Sequence, residues 1–181
     1  MSEDGVVDDD GAGDDAAGRR ATPTPDGHHV VIDGRRWRAT DPHVPDDLAA
    51  ELRRALMSAR RDIGAARRAG QDPTPIRPRV QAAKVALGER GREWWVPVAD
   101  DGEHVPRIEA AIRTLADARA PRTTCPSDVA RVVDGERWRS LMPLVREVAE
   151  RLVCDGEIVV TQKGEPVDTP WRGPIRIGRP T

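Results

Sequence analysis

The stretch GEIVVTQKGEPVDTPWRGPIRIGR, Gly156 to Arg179, has the pattern of two strands joined by a long turn. Its first part, EIVVTQ, and its last part, PIRIGR, place isoleucine or valine at every second position, which is typical of half-buried strands. The segment KGEP between them is rich in turn-forming residues. The pattern predicts a two-stranded wing whose inward residues are Ile158, Val160, Ile175 and Ile177.

Three helices are predicted directly before this wing. VPRIEAAIRTLADA (105–118) has one apolar face, and RTTCPSDVARVVDG (122–135) contains a short helix that stops at Gly135. ERWRSLMPLVREVAERLVCDG (136–156) contains a longer helix, within which Pro143 either introduces a kink or delays the regular start. Helix, short helix, longer helix and wing is the order of a winged helix-turn-helix domain, assigned here to residues 104–181.

The sequence of residues 28–103 predicts a smaller module, made of a β-hairpin and two helices. Asp33-Gly34 between VVI and RRW is a hairpin signal, because a type I′ turn needs positive φ at both positions. Two helices follow, one from Asp46 to a stop at Gly70 and one over about 79–89. These elements bury little apolar surface, so the module is expected to dock onto the C-terminal half or onto another copy of itself.

Residues 1–27 contain eight acidic residues and two arginines, with almost no apolar residues to bury. Such a composition predicts a disordered acidic tail, which either keeps the protein soluble or competes for a basic surface. The chain as a whole is therefore predicted to be an α+β protein with a tail (1–27), a hairpin and two-helix module (28–103) and a winged-helix domain (104–181).

The elements TCPS, WRSLMP, TQKG and RGPIR within Arg107 to Ile177 resemble a bacterial family, Domain of Unknown Function 3253. The resemblance implies a winged-helix fold and transfers no catalytic or binding residues. The segments VVIDGRRWRATDP and RVQAAKVALGERGREWW resemble short actinobacterial proteins that also occur fused to this domain. Automated labels call some of these proteins Tol-type biopolymer transporters, but this sequence has no apolar run that would span a bilayer.

The sequence has no pattern that indicates catalysis or a cofactor. The histidines are scattered at 28, 29, 43 and 104, and no CxxC or HxxxH spacing predicts a metal site. Cys125 and Cys154 are expected to be reduced apolar residues rather than a disulfide or a nucleophile. We therefore predict a non-enzymatic cytoplasmic protein with no metal, no cofactor and no membrane partner.

The predicted fold favours weak binding to double-stranded DNA, or transcription-associated regulation, through the third helix and the wing. Two observations oppose this. Glu147 and Glu150 alternate with arginines on the outward face of the third helix, and a carboxylate there repels phosphate. Arginine is also the usual basic residue of the whole chain, in which only Lys84 and Lys163 are lysines, so its presence in this region is not by itself a sign of binding. Residues at the helix start are expected to approach bases and the others to contact phosphates. The candidate nucleic-acid-binding residues are Arg137, Arg139, Ser140, Arg146, Lys163, Arg172 and Arg176.

The alternative is a protein–protein interaction adaptor that does not bind nucleic acid. Winged helices also serve as docking modules, and Trp37, Trp94 and Trp95 would supply an apolar contact surface in the middle module. A continuous positive stripe over the third helix and wing would favour DNA. An exposed apolar patch around Trp94 and Trp95 would favour a protein partner.

Overall fold

The structure, a computed structural model, describes residues 21–180. It is an α+β protein with five α-helices and two small antiparallel sheets in the described part. The predicted acidic tail lies outside the described residues up to position 20. The tail's last part instead belongs to the first sheet, because Thr22 and Pro23 pair with Val31 and Val30.

The first sheet confirms the predicted hairpin. Its strands are β1 (Thr22–Pro23), β2 (His29–Ile32) and β3 (Arg35–Arg38), in the order β1-β2-β3. Asp33 and Gly34 have φ values of 51° and 76°, as the type I′ turn between β2 and β3 requires.

Two helices follow, close to where the hydrophobic spacing places them. Helix α1 (Asp46–Arg68) has acids in its first turn and buries one stripe of leucine, alanine and isoleucine. Helix α2 (Arg77–Ala86) begins earlier than predicted, because Pro78 occupies its first turn, where a missing N–H costs nothing.

The C-terminal part contains α3 (Val105–Arg119), α4 (Pro126–Val133) and α5 (Met142–Cys154). Helix α5 begins six residues later than the segment assigned to it, with Pro143 in its first turn. Of the two alternatives for this proline, the delayed start is correct. Residues 135–141 form turns instead of helix, so Arg137, Arg139 and Ser140 precede α5.

The second sheet has three strands rather than two, β4 (Val159–Gln162), β5 (Glu165–Pro166) and β6 (Arg176–Gly178), in the order β5-β4-β6. A backbone bridge between Thr124 and Ile177 extends it toward the α3–α4 connection, with N–H···O distances of 2.7 and 2.9 Å. The predicted inward residues are all buried: Ile158, Val160, Ile175 and Ile177.

One continuous hydrophobic core includes residues from α1 and α2 as well as from α3, α4, α5 and the second sheet. The middle module therefore docks onto the C-terminal half of its own chain. A polar contact reinforces this docking, because Arg107 Nη1 donates to Asp41 Oδ2 at 2.7 Å. Between residues 21 and 180, no helix is both long and apolar enough to cross a bilayer.

Candidate nucleic-acid interface

The seven predicted residues lie in three separate places. Arg137, Arg139 and Ser140 belong to the turn segment before α5. Arg146 on α5 contacts the loop that contains Arg172, and Lys163 lies in the nearby β4–β5 turn. Arg176 lies on β6 and contacts the α3–α4 connection.

The turn before α5 is organised by Asp134, which accepts hydrogen bonds from the backbone N–H groups of Glu136 and Arg137 at 3.1 and 2.8 Å. Arg137 Nε also donates to Asp134 Oδ2 at 3.0 Å. Burial by itself raises the pKa of Asp134, but the hydrogen bonds from Arg137 outweigh it and the pKa is lowered. Arg137 therefore helps to hold the turn, and Ser140 Oγ donates to the Arg137 carbonyl at 2.8 Å.

Arg139 is exposed in this turn, as Arg137 is, but unlike Arg137 it has no ion pair with a described residue. Its guanidinium carbon lies 4.4 Å from the ring centroid of the half-buried Trp138, and that of Arg131 lies 4.8 Å from the same centroid. These contacts orient Arg139 and leave its N–H groups in solvent, since the residue is exposed and has no ion pair with a described residue. Its geometry suits a phosphate contact.

Arg146 has a positioning role that its sequence position did not indicate. Its Nη2 donates to the carbonyl of Trp171 at 3.0 Å and its Nη1 to that of Gly173 at 3.2 Å. Gln162 Nε2 donates to the carbonyls of Arg172 and Pro174 at 2.7 and 3.0 Å. The two side chains together fix the 171–174 loop against α5. Arg146 thus has contacts that hold the loop containing Arg172 in place, and its predicted contact with phosphate stays a prediction.

Lys163 and Arg172 are the cations at the tip of this region. Both are exposed, and neither has an ion pair with a residue in the described range 21–180. Lys163 has a φ of 54°, and Gly164 next to it a φ of 92°, which makes a tight turn that projects from the sheet.

Arg176 lies on the opposite face of the sheet from Gln162. It pairs with Thr161, and successive strand residues point to opposite faces. Its Nε donates to Thr123 Oγ1 at 3.1 Å and its Nη2 to the Thr123 carbonyl at 2.9 Å. Arg176 is thus separated from the other predicted wing residues.

A groove of about 960 Å³ runs along the face of the sheet on which Arg176 lies, called here the outer face. Arg122 and Arg179 line it together with Arg176, and none of the described lining residues is acidic. Arg179 has an ion pair with Asp117 at 3.1 Å outside the groove's lining. The sequence analysis did not select Arg122, because this residue lies in the connection between α3 and α4, outside the third helix and the wing. The available signal was a basic residue in that short connection, Pro121-Arg122-Thr123.

The outward face of α5 carries exposed carboxylates where a groove-reading helix would be basic. Glu147 and Glu150 are exposed. Arg151 pairs with Glu109 on α3 instead of with Glu147 on its own helix. A carboxylate on such a face repels phosphate, so this helix face is poorly suited to enter a DNA groove.

The tryptophans of the middle module pack within the fold. Trp95 stacks on His28 at 4.2 Å with an interplanar angle of 4°, and Trp94 meets Trp95 edge-on at 5.1 Å. Trp94 Nε1 donates to the Ala39 carbonyl at 3.2 Å, and Arg35 covers Trp37 at 4.6 Å. All three are half-buried. The exposed large hydrophobic residues of the described chain are Met57 and Val96, at 40% and 41% exposure.

The cysteines are separate and reduced: Cys125 is half-buried and Cys154 is exposed. Ser127 Oγ donates to Cys125 Sγ at 3.0 Å. In the part of the chain that the structure describes, no three His, Cys, Asp or Glu side chains are grouped so that they could hold a metal ion.

Comparison with known proteins gives a match to one family model and no match to a curated protein. No curated protein matches the chain. Residues 106–180, the segment from α3 to the end of the second sheet, match the model of the family described as Protein of unknown function (DUF3253).

Proposed function

We propose that residues 104–181 form a winged-helix domain that binds the phosphate backbone of double-stranded DNA weakly. The order of α3, the Thr124 bridge, α4, α5 and the β4–β6 sheet supports this fold assignment. In such an arrangement the last helix and the wing form one surface.

The observation that carries the proposal is the attachment of the 171–174 loop to α5 by Arg146. Arg146 is the fifth residue of α5, about 6 Å along the axis from its start. The turn with Arg139 ends at that same start. Arg139 and Arg172 therefore flank the N-terminal end of one helix, where its dipole also favours phosphate.

The contacts we propose are to phosphates and carry no base specificity. Arg139, Lys163 and Arg172 supply the charges, whereas Arg137 and Arg146 hold the two loops. The exposed Glu147 and Glu150 disfavour insertion of α5 into the major groove. Binding should therefore be insensitive to sequence and strongly dependent on salt. A transcription-associated role and a cytoplasmic location stay predictions from the sequence.

The adaptor alternative has less support from the described residues. The three tryptophans that would form its contact surface are half-buried and already packed against histidine and arginine side chains. Val96, exposed beside Trp95, is too small a feature to form an interface alone.

Fluorescence anisotropy with a labelled random-sequence duplex tests the proposal. Arg139→Glu combined with Arg172→Glu should weaken binding by at least about tenfold at low salt, because two phosphate contacts become repulsive. The matched control is Arg122→Glu combined with Arg176→Glu, which changes charge equally on the outer face of the sheet. Equal losses in the two variants, or none in the first, would contradict the proposed surface.

A further inference from the structure

Helix α1 contains three Arg-Arg pairs at seven-residue intervals, and this spacing places them on one face. Seven residues are almost two full turns of an α-helix, so residues separated by seven nearly eclipse each other along the axis. The pairs extend over about 22 Å of helix at 1.5 Å per residue. They are Arg53-Arg54, Arg60-Arg61 and Arg67-Arg68.

Over residues 53–68 this face is exposed and lacks carboxylates. Between positions 53 and 68 eight residues of α1 are exposed, and six of them are these arginines. The other two are Met57 and Ala65. We call the six arginines and Met57 the arginine face of α1.

The acids of α1 closest in sequence to these arginines, Glu51 and Asp62, are directed away from the arginine face. Asp46 and Asp47 are exposed in the first turn, seven residues before Arg53-Arg54, and mark the end of this face at the start of the helix. Glu51 accepts hydrogen bonds from Arg119 Nε and Nη2, both at 2.8 Å, and Asp62 pairs with Arg79 at 2.8 Å. Arg119 lies on α3 and Arg79 on α2. Five of the six arginines have no ion pair with a residue in the described range: Arg53, Arg54, Arg60, Arg61 and Arg68.

Two simpler explanations account for only part of this pattern. Favourable interaction with the helix dipole explains Arg67 and Arg68 in the last turn, but not the four arginines one to four turns earlier. Codon usage explains arginine in place of lysine. It does not explain sixteen consecutive residues (53–68) whose exposed side chains include six arginines and no acid, in a chain that has 31 acidic and 29 basic residues.

We propose that the arginine face of α1 binds the phosphodiester backbone of a nucleic-acid duplex. Double-stranded DNA carries about one charge per 1.7 Å of axis, so a 22 Å row of arginines faces about a dozen phosphates. Guanidinium groups suit phosphate because their planar donors match two oxygens at once. The face has no aromatic residue on which unpaired bases could stack, and this favours a duplex over a single strand.

An anionic membrane surface is a poorer partner for this face. Helices that lie in a bilayer interface insert an apolar side, whereas the apolar side of α1 is buried in the core. Met57 is the one large apolar residue that the arginine face presents. Attachment to lipid would therefore be purely electrostatic.

This surface goes beyond the proposed function, because it lies on the middle module and uses none of the residues around α5. Each surface can bind whether or not the other does. A chain with both would gain affinity from two contacts on one duplex. Variants confined to α1 and variants confined to Arg139 and Arg172 therefore separate the two ideas.

The experiment uses the full chain and follows anisotropy of a labelled DNA duplex of about 24 base pairs between about 50 and 200 mM salt. The test variant changes Arg53, Arg60, Arg61 and Arg68 to Gln. The control variant changes Arg36, Arg77, Arg90 and Arg122 to Gln, which removes equal charge from exposed positions elsewhere. A third variant changes the four α1 arginines to Lys. An RNA duplex and vesicles containing anionic lipid replace the DNA in parallel series.

The test variant should bind the duplex at least about thirtyfold more weakly at low salt, and its log–log salt slope should fall by about 3. The control should lose less than about threefold, and the Lys variant should keep the parent's slope, because the phosphate contacts retain their charge. If the test variant loses affinity equally for the RNA and DNA duplexes, the backbone that they share is the ligand. If it loses affinity for one duplex alone, the arginine face binds that nucleic acid.

Three outcomes would overturn the inference: no duplex binding by the parent, equal losses in test and control variants, or a loss confined to vesicles. If the α1 variant loses binding and the Arg139/Arg172 variant does not, the arginine face is supported and the proposed function of the C-terminal domain is wrong. The reverse result rejects the arginine face alone. Unfolding temperatures measured for every variant exclude misfolding as the cause of a loss.

Discussion

Arg107 on α3 and Asp41 in the middle module form a buried ion pair between the two halves of the chain. Arg107 Nη1 lies 2.7 Å from Asp41 Oδ2, and the side chains are 15% and 5% exposed. Asp41 Oδ1 also accepts the backbone N–H of His43 at 2.9 Å, and Arg107 Nε donates to the Ala86 carbonyl at 3.2 Å. One carboxylate thus ties the connection before α1 to α3 and, through Arg107, to the end of α2.

Asp41→Ala should lower the free energy of unfolding by about 3 to 5 kcal/mol, because it leaves a buried guanidinium without its counter-charge. Chemical denaturation monitored by tryptophan fluorescence measures the change. Asp62→Ala is the matched control. Asp62 and its partner Arg79 form an ion pair at the surface, so removing it should lower the free energy of unfolding by less than about 1 kcal/mol. Similar losses for both variants would contradict the role of Asp41.

Gly135→Ala should destabilise the protein by about 1 to 3 kcal/mol, because a Cβ at this position would clash with the backbone carbonyl of His43. Backbone cannot move aside as a flexible side chain can.

Gly64→Ala on α1 provides the opposite case. Its Cβ would meet only the end of the Arg68 side chain at 3.4 Å, so the gain in helix propensity should stabilise by up to about 1 kcal/mol. Thermal unfolding of the two variants should therefore shift in opposite directions.

Arg146→Ala should release the 171–174 loop while the core stays folded. The carbonyls of Trp171 and Gly173 lose their donor, and the Arg172–Gly173 bond becomes accessible to trypsin. Limited proteolysis with mass spectrometry should show cleavage after Arg172 at least about fivefold faster than in the parent, the loss of two hydrogen bonds being about 1 to 3 kcal/mol. Glu150→Ala, exposed on the same helix, should leave the cleavage rate unchanged. A rate like the parent's in the Arg146 variant would refute the positioning role.

Stability should fall as the pH drops from 7 to about 5, in part because of His104. Burial lowers the pKa of His104 below its ordinary value of 6.5, only partly offset by Asp134 and Asp101. The unfolded chain therefore binds a proton at a higher pH than the folded one, and stability is lost as the pH falls below the unfolded value. His104→Gln should make the unfolding free energy less dependent on pH in this window. An unchanged pH dependence in that variant would assign the loss to other groups.

Local sequence was sufficient for the elements whose conformation depends on neighbouring residues. The Asp33-Gly34 turn follows from the φ angles that these two residues tolerate, and the bounds of α1 follow from its first-turn acids and apolar stripe. The alternation in the wing correctly predicted its four buried residues. The family match over 106–180 agrees with the resemblance found in that segment.

The candidate sites were less predictable, because a side chain's partner depends on which elements meet. Arg146, Arg172 and Arg176 are the same residue type, yet Arg146 holds a loop, Arg172 has no ion pair with a described residue, and Arg176 contacts Thr123. The arginine pairs of α1 were present as a seven-residue repeat. Their significance depended on Glu51 and Asp62 finding partners on α3 and α2, which helical spacing alone does not indicate.

The sequence by itself thus determined the order of the helices, the type I′ hairpin, the two alternating strands of the wing and the apolar faces that form the core, since these follow from backbone preferences and hydrophobic periodicity. Only the tertiary structure decided where α5 begins, which arginines have partners and that Glu51 and Asp62 pair with α3 and α2 instead of with the arginines of α1. Those properties depend on charge pairing between residues far apart in the chain, and the packing of α1, α2 and α3 around one core brings these residues together.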